Sequence, residues 1–214
     1  MSMNFKDIPK ERLRDIQALA WRVLINANIS SLPVDLKKIC AEEKILLLGY
    51  PSHAKYIEEM GFGDSMREDV GFCVNRVIFY SEEQSEAEIR TTIAHELGHV
   101  FMHTDSIVGD RYPCPTPTVR TLAEEEASLF ADRLLCPIGI LNFMGVDSAE
   151  EIERICNVNT ETAKRRYIRL CRARAFDKKR RNENKRSTFL LSGLEKMLFD
   201  NMRDFVEKNK KSTK

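Results

Sequence analysis

The sequence lacks the features that membrane proteins and disulfide-rich secreted proteins need. No stretch approaches the roughly 18 to 20 apolar residues of a membrane span, and the opening segment MSMNFKDIPKERLRD carries charges where a signal peptide is apolar. The six cysteines form no CxxC pair, so neither a disulfide framework nor a thiolate metal knuckle is predicted. We therefore expect a cytoplasmic protein with buried free thiols and no membrane contact.

The charge of the chain is unevenly distributed. A chain of 214 residues with 43 % hydrophobic content can bury one main core. Its net charge is only +1, but residues 164–214 hold 18 Lys+Arg against 6 Asp+Glu, which leaves 16 against 27 for residues 1–163. This asymmetry is typical of a basic tail that meets nucleic acid or an acidic partner, and equally of a solvated face.

The periodicity of apolar residues predicts an α+β fold that is mainly helical, with a small β-sheet and a helical C-terminal extension. Helical spacing covers seven segments, at 9–27, 34–43, 85–103, 121–135, 148–157, 160–174 and 189–208. Short runs rich in β-branched and aromatic residues predict strands at 44–50, 70–74 and 76–80.

The segment TTIAHELGHVFMHTD, residues 91–105, carries the clearest chemical signal. In a helix, residues four apart differ by about 40° in direction and about 6 Å in height, so His95 and His99 can converge on one ion. Glu96 stays free of the ion and can act as a general base towards water. This HExxH pattern predicts a zinc hydrolase that attacks a peptide carbonyl.

Gly98 lies inside this helix, where glycine costs about 1 kcal/mol relative to alanine. The sequence therefore predicts that the backbone of another element, a substrate strand or a second ligand helix, lies close to Gly98. His103 lies about 12 Å along the axis from His95, too far to share its ion. It is a supporting or substrate-facing group, or simply a core or surface histidine.

The third ligand must come from another segment. The extended motif HExxHxxGxxH is excluded because Met102 and Asp105 occupy the places of its glycine and third histidine. The best source is LAEEEASLFADRLLCP, whose predicted apolar stripe consists of Ala127, Phe130, Ala131 and Leu134. Glu125 lies on the helix face opposite this stripe, whereas Glu124 and Glu126 lie on the two flanks of the stripe. Periodicity does not choose between the flanks, and all three can also be solvated charges.

Two blocks in this order, IRTTIAHELGHVFMH and EEEASLFADRLLCP, resemble the ImmA/IrrE metallopeptidase family, whose pattern is FTxAHELGHxxLH followed by ExEAxxFAxxLLxP. The similarity covers about residues 30–140 and extends through the helix pair to 175. It implies a zincin-like domain at 1–145 with zinc as cofactor and Glu126 as third ligand. Members typically cleave, or act with, a helix-turn-helix repressor encoded nearby in mobile elements or stress circuits.

The sequence also offers candidates for binding the substrate. Candidates for contacts with the substrate or transition state are His103 and Tyr112; Tyr112 lies in a proline-rich loop that can close over the site. An edge strand formed by 70–74 or 76–80 would hold an extended peptide by β-augmentation.

The C-terminal half supports two rival functions. The helix pair at 146–176 is spaced like a helix-turn-helix and is predicted to pack on the catalytic domain; its second helix is basic. Residues 177–214 are predicted to form a basic linker and an amphipathic helix. DNA binding is therefore the first rival, although a charge run is usually a solvated face. The second rival is a non-catalytic protein that sequesters the repressor through its surface.

Overall fold

The computed structural model describes residues 8–103, 117–182 and 193–211. In chain order the elements of these ranges are α1 (Lys10–Asn26), α2 (Leu36–Glu42), β1 (Leu46–Tyr50), α3 (Ala54–Glu59), α4 (Gly63–Glu68), β2 (Gly71–Val74), β3 (Val77–Ser81), α5 (Glu86–Met102), α6 (Pro117–Leu135), α7 (Ile138–Phe143), α8 (Ala149–Cys156), α9 (Thr160–Asn182) and α10 (Gly193–Asn209). The predicted α+β class, mainly helical with a small sheet, is confirmed. The short helices α3, α4 and α7 were not predicted.

The sheet is mixed, and its strand order is β1-β3-β2. β1 runs parallel to β3, beginning with Leu46 opposite Val77. β2 is antiparallel to β3, and the hairpin turns at Asn75, whose φ of 54° is a left-handed conformation that asparagine tolerates better than most residues. Because β3 is the central strand, the prediction that 76–80 can serve as an edge is wrong. The alternative, 70–74, forms β2 at an edge of the described sheet.

The chain divides into two units. The first consists of Met1–Gln17 and Leu36–Ala131, and the second of Ala18–Asp35 and Asp132–Lys214. The sheet, α2 to α5 and most of α6 belong to the first unit, whereas α7 to α10 belong to the second. The predicted boundaries at 145 and 176 stay predictions.

In the first unit, an apolar and aromatic cluster joins the sheet to α3, and a glycine lets the sheet lie close to α5. Leu48, Tyr50, Ile57 and Phe79 form a buried cluster, and the rings of Phe72 and Phe79 stack with centroids 4.5 Å apart. Gly71 begins β2 directly over α5: a Cβ there would lie 2.2 Å from Cγ2 of Thr92. The absence of a side chain at Gly71 therefore lets the edge strand lie close to the helix that carries HExxH.

In the second unit, α8 and α9 form the predicted helix pair. Ser148 caps α8, Asn157 ends it in a left-handed conformation, and the side chain of Asn159 accepts a hydrogen bond from the backbone of Thr162. α9 continues through 177–182, so this part of the predicted linker is helical. The apolar face of α10, which packs against α7, buries Leu198, Met202 and Val206.

The expectation of buried thiols is confirmed at Cys40, Cys73, Cys136 and Cys156. Cys171 is a free thiol as expected but is exposed, and Cys114 lies outside the described residues. Within the described ranges, no helix combines the length and apolarity that crossing a membrane requires.

Candidate metal centre

α5 is a helix with a well-defined start and two different faces. Ser85 and Glu88 form a capping box, in which the Ser85 hydroxyl accepts from the Glu88 backbone and the Glu88 carboxylate accepts from the Ser85 backbone. One face of α5 belongs to the core and buries Ile93, Ala94, Leu97 and Val100. The other face carries the imidazoles of the HELGH motif.

Gly98 is the point at which α6 approaches α5. A Cβ on Gly98 would lie 2.9 Å from Cα, 3.0 Å from the carbonyl oxygen and 3.2 Å from Cβ of Ala127. Any side chain larger than hydrogen would therefore separate the two helices. The prediction of a close backbone approach is confirmed, and the approaching element is the helix that carries the acidic run 124–126.

Three side chains converge where α5 and α6 meet. Nε2 of His95 lies 3.0 Å from Nε2 of His99 and 3.0 Å from Oε2 of Glu124, and that oxygen lies 3.6 Å from Nε2 of His99. In a tetrahedral site with zinc–ligand bonds of about 2.0 to 2.1 Å, neighbouring ligand atoms lie about 3.3 Å apart. The three separations bracket this value, so the side chains fit a single metal ion.

Glu126, the third ligand implied by the family resemblance, lies elsewhere. Its carboxylate pairs with Arg12 on α1 and with Nε2 of His103, and the metal-type cluster contains Glu124 instead. Residues two positions apart in a helix differ by about 200° in direction, so Glu124 and Glu126 cannot face the same point. The contact between Gly98 and Ala127 sets the rotation of α6, and this rotation turns Glu124 towards the histidines.

The charges of the cluster suit a cation. Burial lowers the pKa of His99, which favours the neutral imidazole that binds metals. Burial opposes ionisation of Glu124, but hydrogen bonds to His95 and His99 outweigh it and hold the pKa of this carboxyl far below its usual range. The site therefore offers two imidazole nitrogens and one carboxylate oxygen.

Glu96 lies beside the cluster but outside it. The residue is buried, and burial raises the pKa of its carboxyl to about 7, while the nearby His95 acts in the opposite direction. The thiol of Cys73 on β2 shares a hydrogen bond with this carboxyl. A carboxyl with this pKa can both accept and return a proton near neutral pH.

Each imidazole is also held from behind, through the nitrogen that faces away from the cluster. Nδ1 of His95 lies 3.2 Å from the Ser128 hydroxyl, and Nδ1 of His99 lies 3.0 Å from Nδ1 of His103. Sequence reasoning missed Ser128, although it lies one turn after Glu124 on the same side of α6. It also missed Arg12, for which no motif or spacing gave a signal.

Two further residues, His103 and Tyr112, were predicted to contact the substrate or transition state. His103 is the C-cap of α5 and contacts His99 and Glu126. Tyr112 lies outside the described residues, so its predicted contact with the substrate stays a prediction.

The comparison with protein families agrees with this geometry. Residues 40–166, more than half of the chain, match the family model Peptidase_M78, described as the IrrE N-terminal-like domain. The match includes the HELGH motif, the acidic run of α6 and the first part of α9. No curated protein matches the chain.

Proposed function

Because the chain belongs to the IrrE N-terminal-like family of metallopeptidases, we propose that it is a zinc-dependent endopeptidase that cleaves a helix-turn-helix repressor at a specific bond. One observation carries the proposal: the ligand atoms of His95, His99 and Glu124 all lie within 4.8 Å of one another, with Glu96 buried beside them. Two imidazoles on α5 and a carboxylate on α6 therefore converge on one point, which is the geometry that a catalytic metal requires.

The donor set favours zinc. Two imidazoles and one carboxylate match the three-ligand sites of catalytic zinc, in which the fourth position stays open for water or substrate. Zinc bound there supplies Lewis acidity, lowering the pKa of water towards about 7 and polarising a peptide carbonyl. In this proposal His95, His99 and Glu124 hold the ion.

Glu96 moves the proton. Its carboxylate accepts a proton from the attacking water while the water oxygen forms a bond to the carbonyl carbon. The same carboxyl then delivers that proton to the leaving nitrogen as the carbon–nitrogen bond breaks. Burial excludes bulk water from Glu96 and holds its pKa near the pH at which both transfers are feasible.

The edge strand β2 supports an extended substrate. It pairs with β3 on one side, and Gly71 brings it against α5. A peptide added to the other side of β2 would present its backbone towards α5. The proposed substrate is a repressor that binds DNA, and the proposal therefore assigns the peptidase to the cytoplasm.

The structure weighs against DNA binding by the second helix of the pair. The basic residues of its first part are Lys164, Arg165, Arg166 and Arg169. Two of them are engaged within the second unit: Arg165 with the Asp132 carboxylate at 2.8 Å, and Arg166 with the Cys136 carbonyl at 2.6 Å. Lys164 and Arg169 are exposed. Because two of these four cationic side chains are engaged in internal contacts, the helix can make fewer contacts with DNA phosphates.

The sequestering alternative is separated from catalysis by one substitution. Purified protein loaded with zinc is incubated with the helix-turn-helix repressor encoded beside its gene, with and without chelator, and fragment masses are measured. We expect two fragments that vanish with chelator and with Glu96→Gln, but persist with the neighbouring control Glu125→Gln. Intact repressor under every condition, or relief of repression by Glu96→Gln equal to that of the wild type, would contradict the peptidase.

A further inference from the structure

A line of four side chains runs from the start of α1 to one of the two imidazoles at the metal centre. Nε and Nη2 of Arg12 lie 2.7 Å and 2.5 Å from the two carboxylate oxygens of Glu126. Oε2 of Glu126 lies 3.2 Å from Nε2 of His103, and Nδ1 of His103 lies 3.0 Å from Nδ1 of His99. All four residues belong to the first unit.

One arrangement of protons satisfies every contact in this line when Nε2 of His99 faces a metal. The proton of neutral His99 is then on Nδ1 and is donated to Nδ1 of His103. His103 must therefore hold its own proton on Nε2, which donates it to Glu126. The carboxylate of Glu126 also accepts two N–H groups from Arg12, so each contact along the line pairs one donor with one acceptor.

We propose that His103, Glu126 and Arg12 are positioning residues that fix the ring orientation and tautomer of His99 for metal binding. This inference rests on the proposed function, since it requires that His99 holds a metal. A ligand imidazole usually donates its second N–H to a carboxylate or carbonyl, and loss of that partner weakens the metal site. Here a second imidazole lies between the ligand and the carboxylate.

Arg12 is the least expected member. It precedes residues 40–166, the part of the chain that matches the family. Glu126 is only 7 % exposed, and a buried carboxylate needs paired donors. The planar guanidinium supplies two parallel N–H groups, which an ammonium group cannot do. The N-terminal helix thus contributes to the metal site without touching the ligands.

His95 has a simpler partner, and this provides an internal comparison. Among the described residues, Nδ1 of His95 is hydrogen-bonded to the hydroxyl of Ser128. Ser128→Ala should therefore affect His95 alone, whereas a change at Arg12 should affect His99 through two intermediates. The two imidazoles can be told apart by NMR of their ring nitrogens.

The test is zinc titration of the full chain carrying Arg12→Met, with Arg14→Met as the matched control on the exposed side of α1. We expect Arg12→Met to weaken zinc binding by about 10-fold, within the range of about 10- to 100-fold for loss of a group that supports a ligand. Arg14→Met should equal the wild type. In the zinc-bound protein, the His99 Nδ1 proton should be protected from exchange by solvent, and Arg12→Met should remove this protection.

Arg12→Lys keeps the charge without the paired geometry and should fall between the wild type and Arg12→Met. Equal zinc affinity of Arg12→Met and Arg14→Met would overturn the inference, as would retention of zinc by Glu124→Gln together with its complete loss in Glu126→Gln, which would make Glu126 a ligand. A wild type that binds zinc with these differences but cleaves no repressor would overturn the proposed function alone. A wild type that binds no zinc would overturn both.

Discussion

Both units of the molecule bury charged groups, but these groups are arranged differently. In the second unit, Arg165 ends at the Asp132 carboxylate and Arg166 at the Cys136 carbonyl. Each of these contacts joins the C-terminal part of α6, or the residue that follows it, to α9, and each is complete as it stands. Their function is to hold elements of the unit together.

In the first unit, three ligand atoms point at one another instead of each being covered by a separate partner. Nε2 of His95 lies 3.0 Å from both Nε2 of His99 and Oε2 of Glu124, but one nitrogen of a neutral imidazole has either one hydrogen or one lone pair, so it can make a full hydrogen bond to only one of them. Such convergence is typical of a site that takes a cation. The difference between the units shows that the direction of buried polar atoms, more than their number, distinguishes a candidate metal site from structural ion pairs and hydrogen bonds.

The largest effect expected from this comparison is the loss of catalysis in Glu96→Gln. The amide keeps the shape of the side chain but cannot accept the proton, so the cleavage rate should fall by about 100- to 10,000-fold. Zinc affinity should stay within about twofold of the wild type because Glu96 is outside the cluster. Single-turnover cleavage and zinc titration measure the two quantities. Equal losses of rate and zinc would mean that Glu96 supports the metal site and does not move protons.

The second prediction breaks a completed contact in the other unit. Asp132→Asn removes the charge opposite Arg165, and hydrogen bonds to charged groups contribute about 1.5 to 3 kcal/mol, so the free energy of unfolding should fall by about that amount. Zinc affinity should not change. Urea unfolding of the zinc-free protein measures the loss.

The control for this prediction is Asp200→Asn, which removes an exposed partner of Arg203 and should change stability by less than about 1 kcal/mol. If Asp132→Asn and Asp200→Asn proved equally mild, the contact of Arg165 would not hold the second unit together. Weaker zinc binding by Asp132→Asn would mean that this contact of the second unit also supports the metal site of the first.

The third prediction concerns the contact between Gly98 and Ala127, which orients Glu124 towards His95 and His99. In Gly98→Ala the new Cβ would lie 2.9 Å from backbone Cα of Ala127, which cannot rotate away. Overpacking costs about 1 to 3 kcal/mol, and the helical preference of alanine returns about 1 kcal/mol. A net loss of stability of about 1 kcal/mol should accompany weaker zinc binding because α6 moves away.

Gly193→Ala is the matched control, since a Cβ there meets nothing within 4 Å. Thermal melting and zinc titration of both variants separate the steric effect from the general effect of adding a methyl group. Unchanged zinc affinity in Gly98→Ala would show that the spacing between the helices does not set the ligand geometry.

The sequence predicted the long helices well, and the site in part. The helix at 85–103 was predicted because several turns of apolar spacing define a period, and Gly98 was identified as a packing point because its cost had to be compensated. The helices α3 and α7, of six residues each, are too short to show a period. Strand order was not predictable, because it depends on contacts between distant segments.

The third ligand shows where local reasoning stops. Periodicity placed Glu124 and Glu126 on the two flanks of one helix, and only the rotation of that helix decides which flank faces the histidines. That rotation depends on the contact between Gly98 and Ala127, which joins two segments far apart in the chain. Arg12 escaped prediction for the same reason, because its partner lies 114 positions away.

The smallest expected effect concerns Arg133 of the second unit, whose guanidinium is incompletely hydrogen-bonded within the described part of the chain. Nη1 of Arg133 is buried and has no hydrogen-bond partner among the described residues. Burial, together with the charges of Arg166 and Arg169, lowers the pKa of this guanidinium to about 10. A pKa below the ordinary value means that the charged form is less stable in the folded protein than in the unfolded chain. The penalty is therefore fully present at every pH below about 10 and disappears only above the unfolded value.

Arg133→Met replaces the guanidinium, with its unsatisfied Nη1, by an unbranched apolar chain of similar length. Such replacements are often neutral or stabilising, so the free energy of unfolding should stay the same or rise by about 1 kcal/mol. Because the guanidinium is charged throughout the range from about pH 6 to about pH 9, the difference from the wild type should be constant across it. Urea unfolding at several pH values measures this difference. A clear loss of stability in Arg133→Met would mean that Arg133 has a completed contact like those of Arg165 and Arg166, and that the second unit contains no exception to its pattern.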